Sequence, residues 1–416
     1  YGNQGNDYLS ARDNVTGVTM DGGDGNDTLH TGSGVDSLVG GDGNDVFMYL
    51  TALDLTGVGE TISGGNGDDT ILVLGTGVMV DLTDDVITSI ENLQTSTADA
   101  NAQTVKMSNV QVDGLSSINA QAEDLVILSD AMTSSMLDGT RIYNTVTFQL
   151  IDQSGATVVG QALTLVNATL GGASDLLKVD ASGLSSDTFN FNASADNDSS
   201  VSVTGGDAND TLVGSASSIG DTLAGGAGAD SITGGAGHDS VLGGDGADTI
   251  TMSIAASSID TIDAGNQTDW LVLNGAATGT VLLNLDAGAG NDQLSSINGI
   301  AETIVQANFE NLDASAMTGG GINATAISTG SNIIGTALGD TITGGNGNDT
   351  ITGTNGADTL TGGLGNDVFV FTSTTQTDTT GTTQYMDVIS DFNITEDTVN
   401  VSGISGAGAF STSLAP

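Results

Sequence analysis

Aspartate recurs every nine residues over Gly335–Val370, each time two positions before an apolar residue. The four units are Gly335–Thr343, Gly344–Thr352, Gly353–Thr361 and Gly362–Val370, with Asp340, Asp349, Asp358 and Asp367 at the sixth position. The shared rule is G-G-x-G-x-D-x-U-x, where U is apolar. Glycines at positions one, two and four let the backbone turn sharply, some of them at positive φ. Their carbonyls can then converge on a hard cation, which takes several oxygen ligands at once. The sixth-position carboxylate adds a short charged ligand.

The same rule recurs twice more. Gly22–Met48 holds three copies, with Gly22, Asp27, Asp36, Gly40 and Asp45 in the ligand positions, and one further copy follows at Gly64 with Asp69. Gly205–Thr251 places Gly205, Asp210, Asp221, Gly225, Asp230, Gly234, Asp239, Gly243 and Asp248 likewise, and Asp269 closes a degenerate copy beginning at Ala264. In the last block the candidate ligands are Asp340, Gly344, Asp349, Gly353, Asp358, Gly362 and Asp367. Leu338, Thr31, Thr354 and Ala208 stand where glycines belong, and the Asp221 copy is two residues longer. Those loops are expected to bind more weakly or through altered turns.

The element that positions these loops is the x-U-x tail. It is a strand one apolar residue deep, with U inward and its neighbours outward. Nine residues bury nothing alone, so the unit must stack on copies of itself. The fold class expected is all-β, a parallel solenoid of repeat blocks joined by irregular rungs or inserts. Boundaries follow at 1–72, 73–204, 205–271, 272–334, 335–402 and a tail 403–416. Within 73–204 the stretches Val146–Leu150, Leu163–Val166, Leu176–Val179 and Phe189–Phe191 read as strands,. They fit either irregular rungs or an inserted β-sandwich, and Leu125–Leu137 has room for one short helix.

A longer duplication underlies the blocks. Glu60-Thr-Ile-Ser-Gly-Gly-Asn66 through Leu74 matches Asp260-Thr-Ile-Asp-Ala-Gly-Asn266 through Leu273. Ile90-Glu-Asn-Leu93 and Phe309-Glu-Asn-Leu312 follow them, and Asp387–Val401 aligns loosely as a third copy. Duplication of a non-catalytic unit favours a structural or adhesive role.

Charge points the same way. With 52 acidic and 4 basic residues the net charge is −48, which would drive a compact chain apart unless cations neutralise it,. The only basic residues are Arg12, Lys106, Arg141 and Lys178, too few and too scattered to meet phosphates, so nucleic acid is not an expected partner,. Cysteine is absent, as suits export into an oxidising space,. No apolar run reaches the ~20 residues needed to span a bilayer. Tyr1 opens inside a repeat without an initiator Met, so a fragment or processed product is expected, and an upstream catalytic domain stays open.

Catalytic constellations are not in view. His30 and His238 occupy variable repeat positions, no H-E-x-x-H is present, and Gly403–Ala407 is one glycine short of G-x-S-x-G,. Cation binding accounts for the paired aspartates better than glycosidase chemistry does. Trp270, the sole tryptophan, reads as an outward residue packed by a neighbouring rung or as a subunit anchor. Asp84, Asp85, Asp196 and Asp198 read as solvated turns.

The blocks resemble the RTX (repeats-in-toxin) family of calcium-binding proteins exported by type I secretion in Gram-negative bacteria. That resemblance implies a right-handed parallel β-roll in which two nonapeptides make one turn and each Ca²⁺ lies between a loop and the loop one turn on. Several ions are implied. Asp349 with Asp367, Asp340 with Asp358, Asp230 with Asp248, Asp221 with Asp239, and Asp27 with Asp45 would flank them. Asp387–Val401 looks like the cap that follows such rolls. In composition the chain is most similar to RTX surface-layer proteins. The expected function is a secreted, calcium-dependent protein that assembles with itself at the bacterial surface. Cell-surface polysaccharide is a further candidate partner. The alternatives are the secretion and folding portion of an exported enzyme or toxin, and a calcium-dependent adhesin.

Overall fold

In the computed structural model, strands follow the apolar positions of the repeats and stack in parallel, in register, one turn above the last. The residues described are 1–12, 14–50, 59–74, 79–95, 103–120, 124–128, 141–143, 145–150, 160–165, 176–254, 260–285, 293–297, 300–301, 306–327, 329–372 and 387–401. The tail 403–416 lies outside them. The chain divides into two units, Tyr1–Gly226 and Ala227–Pro416, and the division falls inside the second repeat block.

In the first unit one ladder runs Asn3–Gln4, Thr19–Asp24, Ser37–Asp42, Thr61–Asn66, Val86–Thr88. A second runs Tyr8–Ser10, Thr28–His30, Val46–Tyr49, Thr70–Val73, Asn92–Thr95, Ser117–Asn119, Arg141–Tyr143. The U residues form one column, Leu9 on Leu29, Phe47, Ile71, Leu93 and Ile118. From Leu29 to Ile118 all are essentially inaccessible to water.

The described residues of 73–204 continue as parallel rungs. Met79–Asp81, Thr104–Met107, Leu125–Leu128, Thr145–Leu150, Leu176–Asp180 and Ser200–Thr204 form one ladder, and Gln161–Thr164, Phe189–Asn192 and Thr211–Val213 another. Their pairings are parallel throughout, so the rung alternative describes them and the sandwich does not. The helix considered for Leu125–Leu137 is corrected over its described part. Leu125–Leu128 is a strand, because Val126 and Leu128 continue the inward columns of Val105 and Met107. Among the described residues the one α-helix is Asn109–Asp113, started by a Ser108–Gln111 capping box,.

In the second unit the U column is longer. Ile232, Ile250, Leu271, Leu312, Ile333, Ile351, Phe369 and Val399 lie in successive paired strands. A second ladder carries Ile322–Thr325, Thr341–Asn346, Thr359–Leu364 and Val388–Ile389. Val281–Asn284, Leu294–Ile297 and Ile300–Ala301 supply the antiparallel pairings described. The Asp387–Val401 segment closes the unit. Phe392 meets Phe369 with ring centroids 6.2 Å apart, and the Asp391 carboxylate accepts hydrogen bonds from Gly362 and Gly363 N–H.

Candidate metal centres

The sixth-position aspartates stand at the corner where each turn enters its strand, and they are bonded to one another as a rail. The backbone N–H of Asp27 donates to Asp45 Oδ1 (2.7 Å), and that of Asp45 to Asp69 Oδ1 (2.8 Å). In the second unit Asp230 donates to Asp248, Asp248 to Asp269, Asp340 to Asp358 and Asp349 to Asp367, at 2.8–2.9 Å. Four of the five aspartate pairs expected to share an ion are thus neighbours on a rail. In the fifth, Asp221 belongs to the first unit and Asp239 to the second.

One oxygen of each carboxylate is consumed by the rail. The other, Oδ2, is buried without a hydrogen-bond partner at Asp27, Asp45, Asp69, Asp248, Asp269, Asp349, Asp358 and Asp367, all at most 1 % exposed. A buried anionic oxygen with nothing to pair it is costly. Its surroundings say what pairs it. A Cβ placed on Gly40 would collide with Asp45 Oδ2 and with the Gly64 carbonyl oxygen of the next turn. Gly22 stands in the same relation to Asp27 and Gly40, and Gly344 to Asp349 and Gly362. The first-position glycine therefore serves close approach of oxygens, at a negative φ. Positive φ is confined to positions two and four, as at Gly41 (119°) and Gly43 (129°). Carboxylate and carbonyl oxygens crowded about a buried negative charge fit Ca²⁺, a hard cation that takes oxygen ligands in irregular geometry. Two carboxylates meet at each step, and no cluster of three or more His, Cys, Asp or Glu side chains suited to a metal occurs among the described residues. That donor set does not fit zinc.

Burial raises these carboxylates. Desolvation, with the charge of Asp69 and Asp27 behind it, pushes Asp45 up to about 6. Desolvation also takes Asp349 to about 6, Asp269 to about 7 and Asp358 to about 8, with neighbouring carboxylates adding to each. A bound cation reverses that logic by favouring the ionised form.

The altered repeats behave differently. Asp340 Oδ2 accepts from Thr336 N–H, and Oδ1 from the Thr336 hydroxyl. Asp36 Oδ2 accepts from Gly32 N–H, Asp210 Oδ2 from Gly206 N–H and Asp221 Oδ2 from Ser215 N–H. These are the repeats with Leu338, Thr31, Ala208 or the two-residue insertion. Their turns fold back on their own carboxylates. Thr354 differs, since it keeps the positive φ of a second glycine (75°) and Asp358 Oδ2 stays unpaired.

The rails also run past the nonapeptides onto carboxylates outside the repeat pattern. Asp69 N–H donates to Glu91, Gln103 to Asp124, Asp239 to Asp260, and Asp269 to Glu310. Asp358 and Asp367 donate to Asp387 and Asp397 of the cap. The signal for these residues was the duplication itself. Glu60/Asp260 and Glu91/Glu310 are its matched acids, each directly before a strand. Asp196, read as a solvated turn, is 1 % exposed, and its backbone carbonyl accepts a hydrogen bond from Ala216 N–H of the following turn. Trp270 is half-buried between Thr249 and Asn311, and His30 is buried with Nδ1 3.4 Å from the Tyr8 hydroxyl.

Stacked parallel rungs with carboxylate and carbonyl cradles at their corners define a cation-binding β-solenoid. Residues 19–48, 57–72, 215–250 and 334–369 match the RTX calcium-binding nonapeptide repeat in four copies. The chain carries RTX calcium-binding nonapeptide repeats, and these repeats form β-roll and bind several calcium ions. No curated protein matches it. Proteins built on this repeat are typically exported by type I secretion. No helix among the described residues is long and apolar enough to cross a membrane.

Proposed function

We propose that this chain is a secreted structural protein, without catalytic activity of its own, that assembles with copies of itself at the bacterial surface once calcium folds it. The observation that carries the reading is the repetition of one cation-dependent corner through both units, with the Asp69–Glu91 and Asp269–Glu310 steps bonded alike. A rail of buried carboxylates is unstable without cations. The repeat rungs would lose stability where calcium is scarce and gain it where calcium is abundant, as export followed by assembly requires. Extracellular modules of this kind bind at about 10⁻⁴–10⁻³ M. A site held at ten times its dissociation constant adds roughly 1.4 kcal/mol, so a handful of sites rivals the ~5–15 kcal/mol stability of a whole domain.

Negative-stain electron microscopy of chelator-stripped protein, before and after millimolar Ca²⁺, tests the assembly. Sheets, tubes or filaments should appear only with calcium. Dispersed compact particles at every protein concentration would sink self-assembly and leave the rolls as a folding device for a neighbouring domain.

A further inference from the structure

We propose that the calcium array of the first block extends one rung beyond its last nonapeptide, onto a site built by Gly64, Asp69, Ser89 and Glu91. The inference rests on the reading of the repeats as calcium sites, and three features of this corner carry it further. The first is the cradle. A Cβ on Gly64 would meet Asp69 Oδ2 and the carbonyl oxygen of Ser89. At Gly22 and Gly40 the corresponding oxygens are the carboxylate of the same repeat and a glycine carbonyl one turn on. Ser89 thus delivers, from a rung with no repeat motif, the carbonyl that a glycine delivers elsewhere. It does so at φ 52°, a left-handed conformation unfavourable for a serine,.

The second feature is the carboxylate. Glu91 Oε2 accepts from Asp69 N–H at 2.8 Å, just as Asp69 Oδ1 accepts from Asp45 N–H at 2.8 Å. Glu91 therefore takes the sixth-position place on the rail. The third is the unmet charge. Asp69 is inaccessible to water, and its Oδ2 faces this cradle without a hydrogen bond.

The second unit repeats the frame with one difference. Glu310 accepts from Asp269 N–H at 2.8 Å, and Asn308, two residues before it, holds φ 64°. Asn92 and Asn311 each donate a side-chain N–H to the preceding aspartate carbonyl, at 3.3 Å. The position of Gly64, however, is Ala264, which carries a methyl group where the first unit has none. The intact site belongs to the first block, and the second copy is the weaker of the two.

The test counts bound calcium on the full chain by equilibrium dialysis against radioactive Ca²⁺, with circular dichroism at saturating calcium as the check on folding. Glu91→Gln keeps an acceptor oxygen for the Asp69 N–H and removes the charge. Gly64→Ala fills the cradle and serves if the first variant misfolds. Asp349→Asn, in the second unit, is the control for an ordinary nonapeptide site. A folded Glu91→Gln or Gly64→Ala chain should bind one ion fewer than wild type. Wild-type ion counts in both, with an ion lost in Asp349→Asn, would overturn the extension and leave the nonapeptide sites standing. An unchanged count in all three would overturn both.

Discussion

The repeat rungs and the rungs of 79–204 share one backbone plan and fill it in opposite ways. A repeat strand such as Ser37–Asp42 turns two residues inward, Leu38 and Gly40. A spacer strand such as Leu125–Leu128 also turns two inward, Val126 and Leu128, and both are apolar. The repeat has exchanged one buried hydrocarbon per strand for a glycine, and the space so opened holds a carboxylate. At about 25 cal/mol per Å² of apolar surface, that exchange surrenders a kcal/mol-scale contribution at every rung and adds an uncompensated charge. Calcium restores both. Stability has been moved out of the sequence and into the medium for some rungs and kept in the chain for others.

Calcium removal should break this comparison open most widely. With a chelator at neutral pH, hydrogen exchange should show Gly22–Val73 and Gly335–Val370 losing protection first. Thr104–Met107, Leu125–Leu128 and Leu176–Asp180 should exchange later or at higher temperature. Uniform loss across both sets would mean that the spacer rungs have no stability of their own.

Core truncation should show the converse. Phe148 is fully buried in a column with Val126 and Val179. Phe148→Ala should cost about 3–5 kcal/mol, and the loss in thermal stability should persist at saturating calcium. Gly40→Ala should instead act through the ion. Its methyl group would press on Asp45 Oδ2 and the Gly64 carbonyl, so the calcium midpoint for folding should rise. Gly114→Ala, at a helix C-cap with φ −76° and open surroundings, should be near neutral,.

The repeat rungs were legible in the sequence because nearly every position is dictated there: glycine by φ or by oxygen contact, aspartate by the rail, U by the core column. The spacer was legible only in part. Phe189–Phe191 and Val146–Leu150 alternate clearly, whereas the apolar run Leu125–Leu128 has no period of its own and reads equally well as helix. Asn92–Thr95 and Thr104–Met107 bury two residues each but carry polar neighbours that hide them. Which rung pairs with which is set by stacking across 18 to 44 residues, and no local pattern encodes it. The same blindness affected the chemistry. Glu91 and Glu310 join the rail from outside the nonapeptide, and Asp196 is buried where its backbone bonds Ala216 of the following turn.

The rails also set the sign of the pH response. A carboxylate whose folded pKa lies above its unfolded value contributes stability fully below the unfolded value and loses it as pH rises through the folded one. Starting from 3.8, the folded values are about 6 for Asp45 and Asp349, about 7 for Asp269 and about 8 for Asp358. Calcium-free protein should therefore melt at progressively lower temperature as pH is raised from 4 to 8. With saturating calcium the slope should reverse, because the ion binds the ionised form. Parallel slopes with and without calcium would show that the titrating carboxylates are not the ones the ion pairs.

Asp196 sharpens the same contrast from the spacer side, with the smallest expected effect. Neither of its oxygens has a hydrogen bond of good geometry. Burial, with the Asp198 N–H partly opposing it and the charges of Asp198 and Asp221 adding to it, raises its pKa to about 6. At pH 7.5 the folded chain must hold this carboxylate ionised in a dry place, or bind a proton at a cost. Asparagine has nearly the same shape and no charge. Asp196→Asn should raise the melting temperature of calcium-free protein at pH 7.5 by the equivalent of roughly 1 kcal/mol. The gain should shrink towards pH 5, where the wild-type carboxyl is already largely protonated. A gain that stays constant with pH would trace to packing rather than charge. A loss at pH 7.5 would mean that the charge is used, and the spacer would then share the electrostatic design of the rails.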